Sequence, residues 1–172
     1  MEPYLPDILA ENLDVIFVGA APSPAAAAIG HYYAGARNRF WKLLHQSGFT
    51  PRLLTAEEDH EALRYGIGLT AIYKSIISTD NSFLPEPGER DREELKAKLT
   101  RFSPRVICYN GKDVYRMCHG EYADNWGELD ERLGESIQFV VHSSSGRADR
   151  WGRDRLFLYG KLRNLVLDLS GG

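Results

Sequence analysis

Cysteine is scarce in this chain of 172 residues, in which Cys108 and Cys118 are the only two. Two cysteines cannot build a disulfide framework, a four-cysteine metal site or an iron–sulfur site. Such sparing use of cysteine is typical of a reducing compartment, so we expect a cytoplasmic protein. The five histidines lack the spacing of metal ligands, so we predict no metal site; they are His31, His45, His60, His119 and His142.

The chain also lacks a long hydrophobic run. No apolar stretch approaches the length of a membrane span, and the first residues, MEPYLPDILAENLD, are acidic rather than signal-like. We therefore expect no membrane association. Two catalytic signatures are missing as well, because Lys112 lacks the glycine spacing of a Walker phosphate loop and Ser144 lies in no G-x-S-x-G elbow. ATP binding and acyl transfer are thus not predicted.

What the chain does contain is the composition of a globular protein. Hydrophobic residues make up 43% of it and charged residues 26%. A length of 172 residues suffices for one domain with a substantial core and is too short for two ordinary ones. We predict a single domain over residues 1–172.

The charge is unevenly distributed. A net charge of −3 argues at first against a nucleic-acid partner, but residues 142–163 hold six basic and two acidic side chains. That segment carries +4, which leaves −7 for the remainder. A locally basic face on an acidic protein is what phosphate contact requires, since screening limits the reach of distant charge. Solvated charge on a terminal helix would explain the same pattern.

The stretch 14–42, DVIFVGAAPSPAAAAIGHYYAGARNRFWK, organises the chain. Its apolar start predicts a buried strand over 14–18, which Gly19 ends. A loop of small residues leads to two adjacent tyrosines and then to a helix over about 38–47. Small side chains let backbone N–H groups approach a ligand closely, and an aromatic ring offers a flat stacking face. A nucleobase suits this combination, although a crossover loop with a core tyrosine would have the same composition.

Strands and helices alternate along the rest of the chain. Two irregular segments are predicted, a polar, turn-rich one over 121–136 and a loop over 73–90 whose length is often functional. Residues 1–13 are expected to be an irregular lead-in or a first helical turn. The remaining predicted elements are helices at about 55–64, 91–102, 111–119 and 155–169 and strands at 65–72, 105–109 and 137–142.

This order predicts the fold class. Four apolar strands that alternate with helices indicate a parallel sheet covered on both faces. We predict an α/β protein, a three-layer α/β/α sandwich around a four-stranded, mainly parallel sheet. Three loops, 19–37, 110–112 and 143–147, then leave carboxyl ends of strands and should open on the same side. Loop amides, serine hydroxyls and basic side chains, all present there, are good phosphate ligands.

Four motifs occur along the chain in an informative order. Gly19-Ala-Ala-Pro-Ser23 is followed by GHYYAGARNRFWK, then by YGIGLT at 65–70 and CYNGKDVYRM at 108–117. The last motif is HSSSGRA at 142–148. Together they resemble the mismatch-specific uracil/thymine-DNA glycosylases of the uracil-DNA glycosylase superfamily, with the last one similar to the serine-rich second motif of the thymine-DNA glycosylase branch. The resemblance spans about residues 13–169.

The resemblance implies a monofunctional enzyme of base excision repair. Such enzymes flip uracil or a related deaminated base out of double-stranded DNA and hydrolyse its N-glycosidic bond, which leaves an abasic site. Extrusion costs a few kcal/mol and is cheapest at a mispair, so uracil opposite guanine is the natural target. The resemblance implies neither a metal nor a cofactor. We expect a monomer, because the duplex occupies the open face, and a cytoplasmic location at the nucleoid when it acts on DNA.

The resemblance also assigns roles to individual residues. Tyr33 matches the aromatic residue that stacks on the flipped base, whose polar edge backbone groups around Ala20 and Tyr33 would bind, with His31 nearby. Arg147 matches the wedge residue that enters the duplex and fills the space left by that base. Ser143 and Ser145 match residues that grip flanking phosphates. The other predicted DNA-binding residues are their neighbours Ser144 and Gly146 and the loop residues Asn110 and Lys112.

Two positions depart from the family pattern. Members typically hold the attacking water with an asparagine at the third position of motif I, which is Ala21 here, and some relatives carry an acidic residue at the position of Ala71. A methyl group can neither orient nor deprotonate water. The candidate replacement is Asn38, which otherwise would cap the helix that it opens. Ser23 and His31 are weaker candidates, and Ser23 would otherwise cap a turn.

Three functions stay open. The first is an active glycosylase, in which preorganised contacts to the departing uracil and nearby phosphate charge lower the barrier without a strong base. The second is a non-catalytic module that recognises mismatched or deaminated DNA, which Ala21 favours. The third is a hydrolase of free nucleosides or nucleotides, which would use the same stacking face but would need neither Arg147 nor the basic segment.

Overall fold

The computed structural model describes residues 3–171. Residues 1, 2 and 172, which belong to the predicted domain 1–172 and in part to the predicted lead-in 1–13, lie outside it. The regular elements are β1 (Val15–Gly19), α1 (Pro24–Ile29), α2 (Phe40–Gln46), β2 (Ile67–Ala71), α3 (Glu89–Phe102), β3 (Val106–Asn110), α4 (Lys112–His119), β4 (Gly127–Leu133), β5 (Ser136–Val141) and α5 (Gly152–Ser170). In addition, 3-10 helices cover Ala56–Tyr65, Asn81–Phe83 and Gly146–Trp151.

The strands form one mixed sheet in the order β2-β1-β3-β5-β4. The first four run parallel to their neighbours, as the apolar runs predict, and β4 pairs antiparallel with β5. The prediction of four strands is therefore wrong, because the segment 121–136 contains a fifth. Its sequence, GELDERL, is mostly charged, with only Leu129 and Leu133 packed against the core, and its pairing shifts register between Glu128 and Arg132. Charged side chains and such irregularities are typical of edge strands, and they hide the period of two.

The core lies on both faces of the sheet. All five residues of β1 are buried, with Val15 and Phe17 in one hydrophobic cluster and Ile16 and Val18 in the other. Helices α2 and α5 cover the first cluster, and α3 and α4 cover the second. The three layers follow from this division, because successive side chains of a strand point to opposite faces.

An aromatic group around Phe17 anchors the helices next to the carboxyl edge of the sheet. The Phe17 ring packs edge-on against Phe40 of α2 at 5.1 Å and lies parallel to Tyr159 of α5 at 5.9 Å between ring centroids. Such pairs add to the free energy of burial. The first turn of α2, which follows the predicted stacking loop, is thereby held in place.

The loop of small residues after β1 contains a helix that the sequence analysis missed. Ser23 Oγ accepts a hydrogen bond from Ala26 N–H at 3.2 Å, Pro24 is the first helical residue and Gly30, with φ of 75°, ends the helix. These are ordinary start and stop signals, and the helix α1 is only six residues long.

The remaining boundaries differ in smaller ways. Helix α2 begins at Phe40 rather than at residue 38. The acidic helix predicted at 55–64 is a 3-10 helix, and Thr55 N–H donates to Glu58 Oε1 at 3.1 Å, as its capping-box spacing predicts. The lead-in is irregular from residue 3 onward, with a single bridge between Ile8 and Leu69. Over residues 3–171, none of the helices combines the length and hydropathy that crossing a bilayer requires.

Candidate functional site

A pocket opens at the carboxyl ends of the four parallel strands. Its walls come from the loops after β1, β2 and β5 and from the last residue of β3. The prediction that the loops after β1, β3 and β5 open at the same edge is thus confirmed. Nine of the predicted site residues line the pocket, namely Ala20, Ala21, Ser23, Tyr33, Asn38, Asn110, Ser143, Ser144 and Ser145.

The ring of Tyr33 forms an aromatic wall. Its backbone has a φ of 55°, which few non-glycine residues adopt, and its ring lies 4.1 Å from that of Phe40 between centroids. A Cβ atom at Gly19 would come within 2.9 Å of Tyr33 Oη, so this close approach needs a glycine there. Burial raises the pKa of Tyr33, and the nearby Asn110 side chain offsets part of that rise. Within the described chain, however, no group meets hydrogen-bond geometry with Tyr33 Oη.

Asn110 and Ser144 join two of the loops by a double hydrogen bond. Asn110 Nδ2 donates to Ser144 Oγ at 2.9 Å, and Asn110 Oδ1 accepts from Ser144 N–H at 3.0 Å. Both residues are buried, and Ser144 is 0% exposed. Ser144 therefore anchors its loop and presents no surface to a phosphate, unlike the role predicted for it. The second Nδ2 hydrogen of Asn110 is left for another acceptor.

The candidates for water positioning lie at the same pocket. Asn38 Oδ1 accepts a hydrogen bond from Phe40 N–H at 3.0 Å, so the alternative interpretation of Asn38 as a helix cap describes its present contact. The oxygen has a second lone pair. Ser23 caps α1, as its alternative interpretation states. Ala21, whose side chain is a methyl group, is also part of the lining.

The pocket is uncharged. Among the described residues that line it there is no carboxylate, imidazole, ammonium or guanidinium group. Its titratable groups are Tyr32 and Tyr33, and burial raises the pKa of both, which keeps them neutral at physiological pH. Residues 3–171 also contain no cluster of three or more His, Cys, Asp or Glu that could hold a metal ion. The arrangement is suited to binding a flat, neutral, polar ligand rather than to proton abstraction by a strong base.

A buried arginine supports the loop after β5 that contains Ser143, Ser144 and Ser145. Arg155, which is 4% exposed, donates from Nη1 to the carbonyl oxygens of Ser143 at 3.2 Å and Ser145 at 3.0 Å. Its Nη2 donates to Asp149 at 3.0 Å. In the sequence, Arg155 is only one of six basic residues in the segment 142–163, so its buried role could not be foreseen.

The comparison with known proteins agrees with this site. The family model of the uracil DNA glycosylase superfamily matches residues 6–164. The chain belongs to that superfamily. The solution NMR structure of a candidate uracil DNA glycosylase from Methanosarcina acetivorans has the same fold, with 21% sequence identity, a TM-score of 0.61, and coverage of 92% of this chain and 96% of that one. The superfamily inferred from the motifs is confirmed, and the narrower mismatch-specific family stays a prediction.

Four predicted site residues of this superfamily member lie outside the pocket lining. His31 Nδ1 is 3.0 Å from Oδ1 of the buried Asp59. Lys112 Nζ lies 4.7 Å from the ring centroid of Trp126. Both residues take part in contacts that no spacing in the sequence signals.

The other two lie in the turn over Gly146–Trp151. Arg147 Nη1 donates to Asp80 Oδ2 at 2.9 Å, so the predicted wedge residue is tied to the loop that follows β2. Gly146 packs against Arg37, where a Cβ would lie 2.8 Å from the Arg37 Cβ. The turn thus lies over the loop that precedes α2, at the rim of the pocket.

Sequence reasoning missed the contribution of the loop after β2. Ser78, Thr79 and Asn81 line the pocket, and Asp80 contacts Arg147. The one signal for them was the unusual length of the segment 73–90, which indicates function without naming residues.

Proposed function

We propose that this superfamily member excises uracil, and related deaminated bases, from double-stranded DNA. The nucleotide would flip into the pocket, where its N-glycosidic bond is hydrolysed and an abasic site remains. The observation that carries the proposal is the uncharged pocket at the carboxyl edge, with the Tyr33 ring and the Asn110–Ser144 pair inside it and Arg147 at its rim. We also propose membership of the mismatch-specific family, whose motifs the sequence resembles.

Recognition of the base would use the aromatic wall and the amide groups. A flipped pyrimidine would stack on Tyr33, whose ring is supported by Phe40. The free Nδ2 hydrogen of Asn110 is available to a carbonyl oxygen of the base, while Ser144 fixes the direction of the amide. Ser143 and Ser145, which keep exposed surface, would contact the flanking phosphates.

Catalysis would depend on preorganised dipoles. As the glycosidic bond breaks, its electron pair leaves with the base, and C1′ of the sugar becomes oxocarbenium-like. Hydrogen-bond donors stabilise the departing uracil anion, and the DNA phosphates stabilise the cation. Asn38 would orient the water that adds to C1′, through the second lone pair of Oδ1, and the proton of that water passes to solvent or to the departed base.

A second function has one observation in its favour. The described pocket lining has no group that could act as a general base. A module that binds mismatched or deaminated DNA without cutting it would have this composition. For both functions the partner is DNA, the working unit is a monomer without a cofactor, and the location is the cytoplasm at the nucleoid.

Single-turnover cleavage of a labelled duplex with one uracil opposite guanine tests the proposal. Uracil·adenine, hypoxanthine and single-stranded uracil substrates run in parallel. Asn38→Ala is the test variant, and Asn81→Ala, which also removes an asparagine from the pocket lining, is the matched control. We expect the wild-type protein and Asn81→Ala to cleave uracil·guanine DNA, and Asn38→Ala to bind it without efficient cleavage.

The other results are equally informative. Cleavage that persists in Asn38→Ala would assign the water to backbone groups and leave the enzyme proposal intact. Tight binding without cleavage of any substrate by the wild-type protein would establish the recognition module instead. Turnover of free nucleosides together with salt-insensitive DNA binding would contradict both.

A further inference from the structure

Two exposed tryptophans flank a buried histidine beside the pocket. The ring centroids of Trp126 and His142 are 3.9 Å apart, with their planes at 34°. The rings of His142 and Trp151 are nearly parallel, at 5.0 Å and 8°. His142 is buried, whereas Trp126 and Trp151 remain 40% and 39% exposed. We call these two tryptophans with His142 the tryptophan cluster.

The exposed part of the cluster is unusual. Tryptophans that served only to cover His142 would themselves be buried, as Trp41 is at 6% exposure. Large exposed apolar side chains that lie together mark interaction sites more often than isolated ones do. Contact with His142 also holds both indoles in fixed orientations, so little conformational entropy would be lost when a ligand stacks on them.

A cation lies over each indole. Lys112 Nζ is 4.7 Å from the Trp126 ring centroid, and Arg150 Cζ is 5.1 Å from that of Trp151. Burial lowers the pKa of His142, which keeps the ring between them neutral and the charge at the periphery. Flat aromatic faces with adjacent basic groups are complementary to nucleobases with adjacent phosphates.

The position of the cluster connects it to the candidate site. His142 directly follows β5 and directly precedes Ser143, which lines the pocket. Lys112 is two residues beyond Asn110, and Trp151 ends the turn that carries Arg147. A DNA strand that enters the pocket therefore passes close to the tryptophan cluster.

We propose that Trp126 and Trp151 form a second nucleobase-binding site, on which unpaired bases of the bound DNA stack outside the pocket. The ligand is single-stranded DNA of any sequence, because every base has a stacking face. The inference rests on the proposed function only in taking DNA as the ligand. It requires no uracil and no catalysis.

Binding of two oligomers that differ only in their bases tests this site. One is an oligothymidine of about ten nucleotides, and the other has the same phosphates but tetrahydrofuran in place of every nucleoside. Fluorescence anisotropy of the labelled oligomers gives the affinity, and quenching of tryptophan fluorescence reports contact with the indoles. The variants are Trp126→Ala, Trp151→Ala and Trp126→Phe. Phe157→Ala, which removes another aromatic side chain that is 64% exposed, is the matched control.

We expect the wild-type protein to prefer oligothymidine at least about fivefold and its fluorescence to be quenched. Each alanine variant should lose this preference while its affinity for the base-free oligomer is unchanged. Trp126→Phe should keep most of the preference, and Phe157→Ala all of it. If an alanine variant fails to fold, the proposal is still tested by the affinities of the wild-type protein for the two oligomers and by those of Trp126→Phe.

Several results would overturn the proposal. Equal affinity of the wild-type protein for the two oligomers would do so. An equal loss of affinity for both oligomers in the alanine variants would also do so, because it would indicate a structural role for the tryptophans. Dissociation of a dimer in the alanine variants, seen by sedimentation, would instead assign the cluster to contact between two copies of the chain. Uracil excision is measured separately, which distinguishes the two proposals. If no uracil is excised but oligothymidine is still preferred, the second site stands and the enzyme proposal fails. If uracil is excised but the two oligomers bind equally, only the second site is refuted.

Discussion

A single methyl group distinguishes the candidate water site of this protein. Ala21 lines the pocket, at the position where the resemblance of its motif implies a water-holding asparagine. We predict that Ala21→Asn raises the single-turnover rate of uracil excision about 100-fold, because a positioned amide can hold the attacking water. The rate on a uracil·guanine duplex measures this. Ala21→Leu, which adds similar volume without an amide, should give no gain, and equal rates for the two variants would count against a water site at this position.

A second prediction for a single residue concerns the buried hydroxyl group of Tyr33. Tyr33 Oη is buried and has no hydrogen-bond partner in the described chain, whereas Tyr32 Oη donates to Pro6 O at 3.0 Å. An unpaired buried hydroxyl costs free energy, so Tyr33→Phe should raise the free energy of unfolding by about 1 kcal/mol, and Tyr32→Phe should lower it by about as much. Urea unfolding measures both. A loss of stability in Tyr33→Phe would show that this hydroxyl does have a partner, with Asn110 the nearest candidate.

At the scale of elements, an ion pair links the turn over Gly146–Trp151 to the loop after β2. If Arg147 is the proposed wedge residue, it must leave Asp80 before it can enter a duplex. We predict that Asp80→Asn strengthens DNA binding about two- to fivefold, since an exposed ion pair of this kind is weak and its loss frees the arginine. Glu89→Gln, at the first residue of α3, removes one negative charge without touching Arg147 and is the control. An equal gain in DNA affinity in both variants would show that the effect comes from overall charge and not from the release of Arg147.

Helix α4 is joined to two strands by a hydrogen-bonded chain. Tyr109 Oη of β3 donates to Gln138 Oε1 of β5 at 2.6 Å, so it accepts from His119 Nε2 of α4 at 2.9 Å, and His119 is the neutral Nε2–H tautomer. Burial, reinforced by the positive charge of Lys96, lowers the pKa of His119 to about 4 from its ordinary 6.5. Protonation of His119 therefore favours the unfolded chain.

The lowered pKa of His119 makes the stability of the protein depend on pH. Between about pH 6.5 and 4 the unfolded state binds more protons than the folded state at this residue. The free energy of unfolding therefore falls as the pH is lowered through this window. The loss due to His119 is about 1–2 kcal/mol, a figure reduced to allow for its partial exposure. Urea unfolding at several pH values should show a smaller acid loss for His119→Gln than for the wild-type protein. The exposed control His60→Gln should follow the wild type, and identical acid losses in all three proteins would contradict the assignment.

The elements that the sequence predicts well are those whose signal is local. The runs that become β1, β3 and β5 are mostly apolar, because both their faces are buried. Strand β4 is mostly charged and pairs only with β5 in the sheet, so its own residues signal it weakly. The same holds within the site. The position of Asn110 follows from the end of β3. The Asn110–Ser144 and Asp80–Arg147 contacts, in contrast, join residues 34 and 67 positions apart and depend on how the loops pack.

At the scale of the whole molecule, DNA would have to bind an acidic protein. The segment 142–163 carries +4 against −7 elsewhere, and its Arg147, Arg150 and buried Arg155 lie in or beneath the turn at the pocket rim. Acidic side chains outnumber basic ones on the edge strand β4, where three acidic residues accompany one arginine. Attraction would therefore be short-ranged and carried by the rim, since charge beyond a Debye length is largely screened.

This distribution predicts a steep but local salt dependence. If three phosphates are contacted, affinity for a uracil·guanine duplex should fall roughly 40-fold between about 50 and 200 mM salt, because each contact releases counterions. Arg147→Ala should lower the slope of log affinity against log salt by about 1 and weaken binding. Arg90→Ala removes an arginine of α3 that is paired with Glu94 and should leave the slope unchanged. An equal effect of the two substitutions would mean that overall charge governs binding, and a flat salt profile would remove DNA as the ligand of this face.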